Sequence, residues 1–220
     1  WTDVIQVVFL VMGGLVTTYL ALDAVSGGAG MWAGFSAIYD AAPDKFAMIL
    51  DEDHPEYMNL PGIGVLVGGM WVANIYYWGF NQYIIQRTLA AKSLKESQRG
   101  ILFAAGLKLI LPLIVVIPGI AAYVMTQDAA VMAGLGEAAL NKPPTGANPD
   151  FAYPWLLQFL PTGLKGLAFA ALAAAIVSSL ASMLNSTSTI FTMDIYKPYI
   201  NPGADDRATV RMGRISIPGV

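Results

Sequence analysis

The chain has no cysteine, which excludes disulfides and cysteine-based metal sites. Its single histidine, His54, sits in Asp51-Glu-Asp-His-Pro55 and reads as an exposed loop residue rather than a metal ligand. Charge is scarce: 12% of the 220 residues are Asp, Glu, Lys or Arg, where a soluble domain carries about 25%. No basic run is present to meet nucleic acid. There is no nucleotide-binding glycine loop, no His/Glu metal pair and no Ser/His/Asp set, so no residue pattern points to an enzyme. Short tandem repeats are also absent.

What is present is apolar. Hydrophobic residues make up 56% of the chain and the mean hydropathy is +0.57, the composition of an integral membrane protein whose main partner is the lipid bilayer. Net charge −3 carries little meaning when most of the surface faces lipid. The first apolar run is no signal peptide, because an acid, Asp3, stands where a signal peptide is basic. The chain opens at Trp1 and closes on Arg211-Met-Gly-Arg-Ile-Ser-Ile-Pro-Gly-Val220, where an apolar segment is starting, so it reads as an internal piece of a larger protein.

The runs at about 3–24, 61–86, 98–125 and 162–190 are each long enough to span a bilayer as a helix, and another starts near 208. Together they are expected to form one transmembrane domain, all-α and polytopic. Charge placement orients them. The 86–99 connection holds Arg87, Lys92, Lys95 and Arg99, and the 191–214 connection holds Lys197, Arg207, Arg211 and Arg214. The other connections hold most of the acids. By the positive-inside rule, 86–99 and 191–214 are cytoplasmic, as is the Trp1 end. In the outer connection 25–60, Trp32, Phe35, Tyr39, Phe46 and Ile49 recur near helical spacing, which predicts an amphipathic helix on the outer face. Residues 141–150 read as a turn-rich loop.

Lys108 stands out because it is the only charge between Ile101 and Pro118. At about 1.5 Å of rise per residue it lies roughly 15 Å into its span, close to the midplane. A charge there costs about 3 kcal/mol on insertion scales, so such a lysine faces a wet cavity or a partner and is a site hypothesis by default. In the second span Asn74, Tyr77, Trp78 and Asn81 fall at i, i+3, i+4 and i+7 on one helix face. Amides that bond hydroxyls and rings that cover the apolar face of a pyranose are how proteins hold a sugar. Interhelical hydrogen bonding and an interfacial aromatic belt remain the plainer alternative.

The fourth span turns serine-rich. Ser178, Ser182 and Asn185 share a face, with Ala175 and Ser179 close to it. Close helix packing and hydroxyls bonded back to the backbone explain this pattern, and so does a site for Na⁺, a hard cation that takes neutral oxygens. Asp3 reads as a solvated acid at a helix start, favoured by the dipole, with an ion-path role as the other reading. Asn185-Ser-Thr fits the glycosylation pattern but lies at membrane depth, and Gly64-x-x-x-Gly68 reads as close packing.

The stretch Asn81-Gln-Tyr-Ile-Ile-Gln-Arg87, Ala91-Lys92 with the following helix to Lys108, Asp3-x-x-Gln6 and the serine-rich 175–182 together resemble the sodium/solute symporter family over essentially the whole chain to about Arg214. The set Asn74-Ile-Tyr-Tyr-Trp78 with Lys108 narrows the likeness to its sugar-carrying members. The resemblance implies a LeuT-type transporter core of two five-helix inverted repeats in a bacterial inner (plasma) membrane. This piece would hold the last helix of the first repeat and the first three of the second. It implies a secondary active transporter, co-transporting a sodium ion with galactose or a related monosaccharide by alternating access. By the same resemblance Asn74 and Lys108 bond sugar hydroxyls, Tyr77 stacks on the sugar and closes the inner gate, and Trp78 flanks it. Ser178, Ser179 and the Ala175 carbonyl would form half of the sodium site, Asp3 would lie on the inward ion exit and Arg87 near the inner vestibule. A sodium symporter of another small solute, or a channel or membrane-complex subunit with Lys108 in a structural ion pair, are the alternatives.

Overall fold

The computed structural model describes residues 2–135, 143–145 and 148–217, with only the backbone described for residues 2–3. The described residues are helical, joined by turns, with no strand beyond one isolated pairing of Thr145 with Asn148. The helices are α1 (Thr2–Val25), α2 (Met31–Ala41), α3 (Met70–Ile75), α4 (Gln82–Leu89), α5 (Leu94–Gln127), α6 (Ala129–Gly134), α7 (Ala152–Leu156), α8 (Thr162–Ile190) and α9 (Asp206–Ile215). Among the described residues, three segments are long and apolar enough to cross a membrane: Val4–Val25, Leu94–Gln127 and Thr162–Ile200. The chain divides into two compact units, one of residues 1–63 and 104–174, the other of residues 64–103 and 175–220.

The first unit is built on close approach of helices. Lipid tails are as apolar as leucine, so helices in a bilayer gain little from hiding apolar surface from each other. They associate where small residues let them touch. Gly13 and Gly14 supply that on α1: a Cβ on Gly13 would stand 3.7 Å from Ala168 of α8, and one on Gly14 would stand 2.9 Å from Ile114 of α5. Thr18 reinforces the α1–α5 contact, its hydroxyl lying 2.8 Å from the Gly14 carbonyl and 3.1 Å from that of Leu113. Pro112 and Pro118 each remove a backbone donor from α5 without ending it.

At the end of α1 the chain reverses over a glycine turn. Gly27, Gly28 and Gly30 take φ of 64°, 89° and 95°, a region that side chains disfavour. Asp23 holds the turn by accepting from the Gly30 N–H at 3.1 Å. The reversal lays α2 on α1 so closely that a Cβ on Gly34 would overlap the Leu22 carbonyl. Ile38, Ala42, Ala121, Met125, Trp155 and Leu156 close the core around that contact. Trp155 packs edge-on against Phe159 with ring centroids 5.0 Å apart.

The expected helix in 25–60 is α2, whose buried residues are Gly34 and Ile38, with Phe35 partly buried against the core. Trp32 is 79% exposed and Tyr39 is also exposed. Pro43 ends the helical run, and Phe46 returns in a short 3₁₀ turn to pack on Phe35 and Tyr39. The helix forms because apolar residues recur at its period, yet the tightest approach falls where the side chain is smallest. His54 is partly exposed: its Nδ1 accepts from the Glu56 N–H at 3.0 Å and its Nε2 lies 3.7 Å from Asp44. Of the turn-rich stretch 141–150, residues 141–142 and 146–147 lie outside the described residues.

The second unit is less regular. The run read as one span over 61–86 is helical over 63–80 and stops at Asn81. Val65–Gly69 and Tyr76–Phe80 flank α3 in π-helical register, and the Asn81 N–H reaches back to the Tyr76 carbonyl at 3.0 Å, five residues away. Asn81 leaves helical geometry at φ −77° and ψ 111°, and its side chain accepts from the Tyr83 N–H at 3.1 Å to cap α4. Likewise α8 does not end at 190 but continues in π register as Phe191–Ile200. The segment expected to start near 208 is α9, whose first turn is capped by Asp205 accepting from the Ala208 N–H at 2.7 Å. Ser188 donates to the Gly213 carbonyl and lies 2.9 Å from the Ser216 hydroxyl, which ties α9 to α8.

The α1–α2 contact depends on the missing side chain at Gly34. Gly34→Ala in the full-length protein is expected to lower stability by about 1–3 kcal/mol. A thermal-unfolding midpoint in detergent equal to that of the unaltered protein would contradict the close approach.

Candidate functional site

Asn74, Tyr77 and Trp78 lie in the second unit on consecutive turns, Asn74 within α3 and the two rings in the π-helical turn that follows. The wider π turn shifts side chains around the axis relative to α spacing and marks functional positions more often than chance. The Tyr77 and Trp78 rings meet edge-to-face, with centroids 5.3 Å apart and planes at 85°. Both rings are more than a third exposed, at 39% and 37%. The Asn74 amide donates to the Met70 carbonyl at 2.8 Å, which orients the side chain and leaves its oxygen able to accept. Asn81, the fourth member of the expected face, lies outside that helix. Its short amide competes with the backbone for hydrogen bonds, which makes it a cap rather than a helical position.

Ala175, Ser178 and Ser179 are also in the second unit, on α8. With Ser182 they fall at i, i+3, i+4 and i+7, and all four are half-buried while Ile176, Val177 and Leu180 beside them are exposed. The face of small oxygen-bearing residues is therefore the covered one. The Ser182 hydroxyl donates to the Ser178 carbonyl at 3.0 Å. Hydroxyls and main-chain carbonyls gathered on one face are the donor set a hard monovalent cation takes.

Arg87, on α4, reaches this same helix. Its guanidinium donates to the Ser182 hydroxyl at 2.6 Å. The neighbouring Gln86 amide donates to the Ser182 carbonyl at 3.2 Å and accepts from the Asn185 amide at 2.9 Å. Sequence reading placed Ser182 and Asn185 on one face but missed their pairing with Gln86. The signal was an amide at the end of an apolar run, a group that needs a partner wherever water is scarce.

Lys108 belongs to the first unit, on α5, and its side chain is exposed. Asp3 lies in α1, but its side chain is outside the described residues. No group of His, Asp and Glu that could hold a metal ion occurs among the described residues.

Comparison with known proteins identifies the family. Residues 1–217 match the Sodium:solute symporter family. The sodium/glucose cotransporter of Vibrio parahaemolyticus is 67% identical over 97% of this chain and 39% of its own length. Human sodium/myo-inositol cotransporter 2 is 35% identical over 99% of this chain and 33% of its own. The solved substrate-bound, outward-open structure of a Na⁺-coupled sialic acid symporter aligns with a TM-score of 0.75 at 26% identity, covering 99% of this chain and 43% of that one. The chain thus spans about a third to two fifths of these relatives' length. The expected fold, an all-α part of a LeuT-type five-plus-five transporter core, holds. So does the expectation of a multi-pass membrane protein. The family couples transport to sodium, and this chain belongs to it: it is a member of the sodium:solute symporter family.

Proposed function

We propose that the full-length protein carries galactose or glucose into a bacterial cell, together with sodium, by alternating access around a site near the midplane. The observation that carries this reading is the pair of edge-to-face rings, Tyr77 and Trp78, on consecutive positions beside the oriented amide of Asn74. A ring face covers the C–H face of a pyranose, and an amide oxygen accepts from its hydroxyls. The 67% identity to a relative named for sodium and glucose supports the sugar assignment. Galactose and glucose differ only in the configuration of one hydroxyl, and both are tested below. The myo-inositol relative favours a second reading, a cyclic polyol of similar size.

In this account Lys108 donates to sugar oxygens. Tyr77 stacks on the sugar and its departure opens the inner route. Sodium takes the Ser178 and Ser179 hydroxyls and the Ala175 carbonyl, with further oxygens from outside this chain. Asp3 lies on the ion's inward exit and Arg87 beside the inner vestibule. The basic connections 86–99 and 191–214 and the Trp1 end face the cytoplasm.

Uptake of labelled galactose and glucose into liposomes bearing the full-length protein tests the reading. An inward sodium gradient should drive accumulation of at least one, and a potassium gradient should not. Equal uptake with either cation, or preference for a polyol over both sugars, would contradict it. Lys108→Ala should reduce sugar uptake at least a hundredfold, the scale of two or more lost charge-assisted hydrogen bonds, with normal insertion. Ser178→Ala should raise the half-saturating sodium concentration several-fold, and an unchanged sodium requirement would remove that residue from the ion site. Because this chain has no cysteine, a single Lys92→Cys in a cysteine-free background reports sidedness. An impermeant maleimide should label it only after the cells are opened, and labelling of intact cells would invert the topology.

A further inference from the structure

We infer that Gln86 and Arg87 are positioning residues for the sodium-binding stretch of α8, and that through them α4 couples that stretch to the segment bearing Tyr77. The inference rests on the reading above, that Ser178 and Ser179 hold sodium and Tyr77 meets sugar.

Among the described residues, three hydrogen bonds are seen to join α4 to α8, all within the second unit. Gln86 supplies two, to the Ser182 carbonyl at 3.2 Å and from the Asn185 amide at 2.9 Å. Arg87 supplies the third, to the Ser182 hydroxyl at 2.6 Å. Ser182 then donates onward to the Ser178 carbonyl at 3.0 Å, so the guanidinium is linked through one hydroxyl to a residue of the proposed ion site. A hydroxyl that accepts from a cation becomes a stronger donor to its next partner, and the two bonds reinforce each other. The Gln86 amide, donating at one end and accepting at the other, fixes the register of α4 along α8 as an apolar contact would not.

The other end of α4 is its cap, Asn81. The chain turns there out of the π-helical turn that carries Tyr77 and Trp78. Tyr77 and Gln86 are therefore separated by one break and one short rigid helix. A displacement of α8 on ion binding reaches α4 through Gln86 and Arg87, and the break at Asn81 is the point where α4 can change angle against the sugar-bearing segment. Neither Gln86 nor Arg87 need touch sodium or sugar.

The test measures two half-saturating concentrations in the full-length protein in liposomes: sodium at fixed galactose, and galactose at saturating sodium. Gln86→Ala is expected to raise the sodium value roughly five- to tenfold, the scale of two neutral hydrogen bonds. Galactose half-saturation at saturating sodium should rise as well, by no more than the sodium value does, because the weakened link passes on less of the tightening that sodium gives. Asn185→Ala should shift the sodium value in the same direction by less, and the double variant should be no worse than Gln86→Ala alone, because both remove one shared bond. Asn185→Ala decides the matter if Gln86→Ala does not reach the membrane. A sodium requirement unchanged in these variants, or additive effects, would overturn the inference while sodium-driven uptake by the unaltered protein left the transport reading standing. No sodium-driven uptake by the unaltered protein would overturn both.

Discussion

In hydrocarbon an N–H or C=O without a partner costs several kcal/mol, and the rest of this structure follows from that constraint. It makes the chain helical, and it makes each departure from an α-helix a place where the backbone bonds must be satisfied in another way. The first unit keeps its long helices in α register and accepts only the two proline substitutions in α5. The second unit holds the π-register stretches Val65–Gly69, Tyr76–Phe80 and Phe191–Ile200 and the break at Asn81. Irregular backbone at membrane depth is tolerated where it lines a cavity or is covered by protein. The proposed sugar and sodium residues, Lys108 and Asp3 apart, occupy this irregular unit.

The same constraint governs side chains. Several hydroxyls on the long helices return a bond to the carbonyl one turn back, as Thr17 does to Gly13 at 2.8 Å and Thr187 does to Met183 at 3.0 Å. Such residues are satisfied within their own helix and need no function. Gln86, Arg87, Ser182 and Asn185 differ in bonding from one helix to another. Thr18 and Ser188 also bond between helices, so what sets Gln86, Arg87, Ser182 and Asn185 apart is that their bonds meet on the stretch of α8 that bears Ser178.

Much of this was legible before any coordinates. The spans containing α1, α5 and α8 follow from apolar length, and the isolation of Lys108 and the residues 74, 77 and 78 follow from helical spacing. Periodicity could not see that Asn81 leaves the helix, because an asparagine at i+7 and an asparagine at a cap look alike in sequence. Nor could it see α8 running on past 190. The 191–214 stretch reads as a connection from its basic residues, yet Phe191–Ile200 continues α8 in π register and accommodates Pro198. The aromatic stripe of 25–60 predicted a helix, which forms over Met31–Ala41 and stops before Phe46 and Ile49; its closest contact is made by Gly34, which has no side chain to show in a hydrophobic pattern. The Gln86 pairing joins residues 99 positions apart and leaves no local signature.

The central claim is that sodium and sugar bind to one protein and favour each other's binding. Such coupling is reciprocal by thermodynamic necessity. The most direct measurement is of galactose and glucose dissociation constants for the purified full-length protein with and without sodium, paired with the sodium constant with and without sugar. The account predicts that sodium tightens sugar binding and that sugar tightens sodium binding by the same factor. Sugar binding that ignores sodium would contradict it.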